Sequence, residues 1–333
     1  MTSEADAAVA MRRLDLVADL PGELDVALAD ADRALSADGD LRASRDSFER
    51  AYRLAEAARD TAAMAVAALG LAGLWVSERR TVTGAVMLET RLQHVLGLLD
   101  EDCVLALRIR ARLAGEADYR RGEHADIVAM LDQIRAAADP VPLAEALSLA
   151  HHCLLGPDHV TARRQLAVEL IKVSFRTERR SDLLMGLLWQ TVDSYSGGDR
   201  HAGRLLGELR DHLGERDHPA VGFVVSAIEV MLAIRAGQLD DAESLASICA
   251  KNGATAGDID SEWWPGAQLV TVRWCQGRLA ELLPGRHCRR SVRPPPPVCA
   301  PADGRRTVRH LLRGDRAGPW HRVAHVAPPR CGY

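Results

Sequence analysis

Aromatic side chains make up only 4% of this 333-residue chain, and lysine is confined to Lys172 and Lys251. Apolar content comes mostly from alanine and leucine, which argues against a sandwich or barrel filled by Val, Ile, Tyr and Phe. No stretch alternates apolar and polar with a period of two, so the main strand signature is missing as well. The start, Met1-Thr-Ser-Glu-Ala-Asp6, is acidic and has no basic segment leading into an apolar core, so no secretory signal is expected. The longest apolar run, Ala62 to Val76, is 15 residues and contains Gly70 and Gly73. It is too short for a bilayer and reads as a buried helix. Seven cysteines, with no C-x-x-C pair, fit a reducing, cytoplasmic setting.

Catalytic signatures are also lacking. The chain has no H-E-x-x-H, no G-x-S-x-G and no G-x-x-x-x-G-K-[ST] phosphate loop, and no carboxylate pair stands out from the charged helix faces. The expectation is a protein that is not an enzyme and needs no cofactor. A net charge of −4 gives no general reason to expect nucleic acid, and no helix-turn-helix with a basic recognition helix is found.

What is present is helical periodicity broken by glycine. Met231 to Ala246 reads as the end of one helix, a tight turn at Gly237, and a second helix with Leu239, Ala242 and Ala246 on one face. Asp240 and Asp241 stand where a helix N-terminus favours negative charge. Earlier in the chain, Leu24, Leu28, Ala31 and Leu35 line one helix, Gly39-Asp40 ends it, and Leu41, Ser44, Phe48, Ala51 and Leu54 line its partner. The order Gly39, Leu41, Ser44, Phe48, Ala51 resembles the second half of a tetratricopeptide repeat. In that pattern a small residue lets two helices approach and the aromatic fills the gap to the next hairpin.

Similar turns follow near Glu78–Thr83 and at Gly122, Gly156-Pro157-Asp158, Gly197-Gly198-Asp199, Gly237 and Gln276-Gly277. From Gly122 the steps are 34, 42, 39 and 40 residues. Asp60-Thr61, Asp139-Pro140, Ser181-Asp182 and Asp260-Ser261-Glu262 are further helix starts. The fold class expected is all-α, a right-handed α-solenoid of six to seven tetratricopeptide-like hairpins over residues 22–284, after a lead-in at 1–21.

Residues 285–333 read differently. They hold 11 arginines, two acidic residues and eight of the 15 prolines, a charge of +9 that leaves −13 for residues 1–284 (−4 less +9). Three readings fit this stretch: a basic arm for nucleic acid or an acidic partner, a disordered tail, or translation in a shifted frame of a GC-rich gene.

Met231-Leu-Ala-Ile-Arg-Ala-Gly237, Gly266 to Leu283 and Leu184 to Asp193 resemble the helical-repeat region of large bacterial transcriptional regulators of the LuxR type. The resemblance implies a sensor region that binds a protein segment, a partner domain or a small inducer, without the nucleotide-binding and DNA-binding domains. Two rival readings are a DNA-binding regulator acting through the basic tail and a truncated, non-functional remnant. No membrane partner is expected.

Four residues are candidates for a binding surface. Arg108 and Arg112 share a helix face where an anionic partner could be gripped, although a solvated face paired with Glu116 and Glu123 explains the same arginines. Trp263 and Trp264 crowd one hairpin with Trp274, either as ligand anchors or as core. Cys153, Cys249 and Cys275 are expected in the core. His151 and His152, being adjacent, point about 100° apart on a helix and are expected at a surface or turn rather than on a metal.

Overall fold

The computed structural model describes residues 20–282, apart from 79, 80, 215, 216, 260 and 262. Every regular element among them is helical. Residues 1–19 of the lead-in at 1–21 and the basic stretch 285–333 lie outside the described residues.

Helix α1 (Leu20–Asp32) passes into a π-helical turn (Arg33–Asp38), which Gly39 closes at a φ of 67°. Asp40 then starts α2 (Leu41–Ala58): its carboxylate accepts from the amides of Arg42 and Ala43 at 3.1 and 2.9 Å. Such a cap satisfies amides that the helix itself leaves without partners. The buried side of α2 runs through Leu41, Ser44, Phe48, Ala51 and Ala55 at helical spacing. Asp60 caps α3 (Thr61–Ala72) in the same way, through the Ala63 amide at 2.9 Å. The apolar run is thus a buried helix that stops at Ala72, because Gly73 leaves helical geometry there. The Phe48 ring occupies the space beside Gly70, where a Cβ would fall 2.2 Å from it. The aromatic of one hairpin fills the notch of the next.

The chain continues through α4 (Val82–Leu96), α5 (Val104–Arg121), α6 (Ala125–Ala137), α7 (Pro140–Cys153), α8 (Val160–Thr177), α9 (Arg180–Ser196), α10 (Ala202–Leu213), α11 (Pro219–Arg235), α12 (Leu239–Ala256) and α13 (Trp263–Cys275). Each helix from α1 to α11 packs against the one that follows it, and short turns make successive helices reverse. The odd-numbered helices α1 to α11 also touch one another in sequence, α1 on α3, α3 on α5, and so on. They form one row, with the even-numbered helices beside it. Gly115 on α5 faces Leu149 of α7 and accepts from the Cys153 thiol at 3.4 Å, so a small residue sits where these two first helices meet.

A stack of repeats is expected to touch only its nearest neighbours. Here the first hairpin also meets elements far along the chain. Gly39 O accepts from the Ala220 amide at 3.2 Å, Arg180 donates to Ala37 O at 3.1 Å, and Arg42 donates to Ala254 O at 3.3 Å. Arg45 donates to Gly257 O. The buried His218 ring lies against Gly39 so closely that a Cβ there would stand 2.3 Å from it. These contacts draw the row of first helices closed at the level of α9 to α12.

Two compact units divide between Val272 and Arg273. The described part of the second holds the last turn of α13, Gly277 and a 3-10 turn (Leu279–Leu282), with Arg278 on Glu281 at 2.8 Å. Cys275 is exposed. It belongs to this last turn, past Val272, where the apolar cluster of α11 to α13 ends, so the expectation of a core thiol there is corrected. Cys153 and Cys249 are buried.

Candidate functional site

The first helices converge on an interior cavity of about 100 Å³. Asp32 from α1, Phe48 from α2, Gly70 from α3, Arg108 from α5, Glu145 and Ser148 from α7, and Arg179, Asp182 and Met185 at the start of α9 all reach it. Its centre is an ion cluster. Arg108 holds Glu145 with both ends of its guanidinium, at 2.8 and 2.6 Å, and Arg179 donates to the same carboxylate at 2.9 Å. Burial would push the Glu145 carboxyl up, but the two guanidiniums overcome it and hold it below its usual range. Arg179 also lies 3.9 Å from Asp32. Arg108, one of the expected anion grips, therefore faces inward with its charge already matched.

Arg112 is not on a surface at all. Its side chain is buried and donates to three carbonyls of the chain after α3: Ala72, Gly73 at 3.0 Å and Trp75 at 2.6 Å. Glu116 pairs with it at 2.8 Å and takes the Ser77 amide at 3.0 Å. A cation at a helix C-terminus satisfies carbonyls that have no helical partner, so Arg112 fixes the loop leaving α3. That corrects the anion grip and the solvated setting expected for it, while the expected pairing with Glu116 is present. Glu78 completes the loop. It is buried, accepts from Arg45 at 2.9 Å and from the Leu74 amide at 3.1 Å, and burial raises its pKa against the pull of Arg45 and Arg112.

The paired histidines are interior as well, against the surface placement expected. His151 and His152 on α7 lie beneath Trp189 of α9, His151 stacked at 4.7 Å between ring centres and His152 edge-on at 5.1 Å. His151 Nε2 stands 2.8 Å from Asp193 Oδ2, while Arg163 Nε donates to Asp193 Oδ1 at 2.7 Å. A carboxylate only accepts, so the proton lies on Nε2. Burial lowers the His151 pKa despite Asp193, and the Arg163 charge lowers it further, so the ring is neutral. Burial acts to raise Asp193, and the bonds from His151 and Arg163 outweigh it, leaving the carboxyl low. Arg163 also donates to the carbonyls of Leu154 and Gly156, at 2.8 and 3.0 Å. One buried cluster thus ties α7, α8 and α9 together.

Of the two tryptophans, Trp264 packs against the apolar cluster of α11 to α13, and Trp263 is 56% exposed. Ala267 and Val270 are exposed on the same side of α13 as Trp263, opposite Val272. The structure separates the candidates: Arg108 on the cavity, Arg112 in a loop anchor, Trp263 on an outer helix face and Trp264 in packing. Sequence reasoning missed Asp182, whose Oδ2 is buried with no hydrogen-bond partner among the described residues. Its one signal was its place as a helix-starting acid.

Among the described residues, no group of three or more His, Cys, Asp or Glu could hold a metal, and no helix is long and apolar enough to cross a membrane. No protein-family model, curated protein or solved structure matches this chain.

Proposed function

We propose that the chain is a non-catalytic binding scaffold, a right-handed α-solenoid of tetratricopeptide-like hairpins that serves as the sensor region of a LuxR-type transcriptional regulator. The observation that supports it is the row of first helices. Five of them bring side chains to one interior, and that interior holds matched charges rather than a nucleophile paired with a base. A cavity of about 100 Å³ falls below the roughly 300 Å³ at which drug-sized ligands are held. A protein segment therefore docks outside, and only a very small inducer enters.

The outer face of α13 fits the first role. Each first helix from α1 to α9 is covered by the next in the row, whereas Trp263, Ala267 and Val270 of α13 face solvent. The partner this face takes is a helix bringing small and branched apolar side chains, the chemistry its neighbours offer one another. A second copy of α13 is such a helix, which makes self-association the first test. Sedimentation between about 1 and 100 µM should show reversible dimers, and Trp263→Asp should abolish them. A chain that stays monomeric across that range rejects α13 as the docking face.

A further inference from the structure

We infer that the interior cavity is a site for a small organic cation, of the size of guanidinium or a short alkylammonium, held by Asp182 and Ser148. This rests on the scaffold reading and adds to it the chemical class of the inducer. Among the cavity's charges, Glu145 already accepts three guanidinium donors. Asp182 is the carboxylate left over: its Oδ2 is buried and takes no hydrogen bond from the described residues. An acceptor shut away from water without a donor is costly, and a ligand that supplies N–H groups removes that cost. Ser148 Oγ, across the cavity on α7, accepts from Trp189 Nε1 at 3.2 Å and keeps a second lone pair. Phe48, Leu170 and Met185 give apolar walls.

Size and charge narrow the ligand further. An apolar cavity of about 150 Å³ accepts benzene, with six heavy atoms, so about 100 Å³ suits four or five. The charges around it are Arg108 and Arg112 from α5, Glu145 from α7, Arg179 before α9, Asp32 from α1 and Asp182 itself. Glu116 already matches Arg112 at 2.8 Å, so with Asp182 ionised the remaining wall carries one net negative charge that favours a cation, and with it protonated the wall is neutral and that attraction is lost. Burial raises Asp182 to about 6, partly offset by a hydrogen bond from Thr177 and the charge of Arg179, so both states are reached near neutral pH. Asp32, with its side chain 56% exposed, marks where solvent meets the cavity.

The test is calorimetric titration of the full chain with millimolar guanidinium chloride at fixed ionic strength, with urea as the neutral isostere. Saturable binding is expected with a Kd on the order of 1 mM at pH 7.5, the range open to a four-atom ligand. It should weaken about tenfold at pH 5, where Asp182 is largely protonated. Urea should bind at least tenfold more weakly. Asp182→Asn should abolish binding by removing the charge, and Ala144→Leu by filling the space. Non-saturable heat, equal response to urea, pH-independent affinity, or undiminished binding by Asp182→Asn each overturns the proposal. Should either variant fail to fold, the pH profile and urea comparison of the unaltered chain decide it. A negative result combined with dimers through α13 leaves the scaffold reading standing and removes only the cation site.

Discussion

Between α5 and α9 buried ion clusters are set into the packing of the first helices; between α11 and α13 the packing is an apolar cluster. In the first region Glu145 and Asp193 each draw in two partners from other elements, Arg108 and Arg179 in one case, His151 and Arg163 in the other. In the second, Phe223, Val230, Cys249 and Val272 form an apolar cluster, and a polar link from α13 to α11 is Gln268 Nε2 to Ala227 O at 2.8 Å. Buried ion clusters need each member present and placed, so they tolerate little change in spacing. An apolar contact is non-directional and can be re-formed against another surface. The half that encloses the cavity is thus rigidly specified, and the half that ends in α13 is the one suited to a new partner.

The sharpest way to break this contrast is Asp193→Asn. It leaves Arg163 buried without its charge partner, and the expected loss is about 3–5 kcal/mol. Val230→Ala, at a fully buried site of the apolar region, should cost about 2 kcal/mol through lost methyl groups and the cavity left behind. Urea unfolding of both variants measures the difference. Equal losses would mean the ion cluster contributes no more than packing.

A second comparison uses two turn glycines with nearly the same backbone. Gly39 and Gly237 have φ of 67° and 75°, but a Cβ at Gly39 would strike His218, whereas nothing lies within 4 Å of one at Gly237. Gly237→Ala should cost about 1–2 kcal/mol of backbone strain alone. Gly39→Ala should cost more, about 3 kcal/mol, because it also forces His218 and Ala220 away from the first hairpin. Hydrogen exchange at the Ala220 amide, which bonds to Gly39 O, would quicken in the Gly39 variant only.

Proton linkage separates the regions again. The Asp182 pKa of about 6 lies above its unfolded value of about 3.9, so the fold favours the protonated form. Its contribution is complete below about pH 4 and is lost as pH rises through about 6, up to roughly 3 kcal/mol. His218 has the opposite sign. Burial, with the Arg180 charge, lowers it to about 4, so its contribution is complete above about pH 6.5 and is lost as pH falls through about 4. The two trends oppose one another between pH 4 and 6 in the unaltered chain. Asp182→Asn should unmask the His218 trend: the variant matches the parent at pH 4 and gains stability over it through pH 6. Parallel pH–stability curves for variant and parent would exclude Asp182 as the titrating group.

The hairpin turns were legible because left-handed backbone selects glycine, and Gly39, Gly122, Gly198, Gly237 and Gly277 all have positive φ. Aspartate caps at Asp60 and Asp139 were legible for a similar local reason, whereas Asp40, read only as part of a break, also caps α2. What could not be read depends on stacking. His151 meets Asp193 across 42 residues and Arg112 meets the Ala72 carbonyl across 40, about one repeat in each case, so neither residue shows its partner within its own hairpin. The contacts of Gly39 with His218 and Ala220 come only with the curvature of the whole row.

The smallest effect expected concerns the turns between hairpins, where Arg59, Ala138 and Glu178 occupy left-handed backbone without glycine, at φ of 55°, 60° and 57°. Ala138 accepts this strain directly before Asp139, whose carboxylate caps α7 through the Val141 amide at 3.0 Å. Ala138→Gly should relieve about 1 kcal/mol of strain and restore about 0.4–1 kcal/mol of freedom to the unfolded chain. The two nearly cancel, so the melting temperature should move by no more than about 2 °C. Placed beside Gly237→Ala, this makes the exchange asymmetric: glycine is needed at the Gly237 turn, yet adds little at Ala138, where the Asp139 cap already fixes the turn. A gain well above 1 kcal/mol for Ala138→Gly would show that this turn holds more strain than the Asp139 cap offsets.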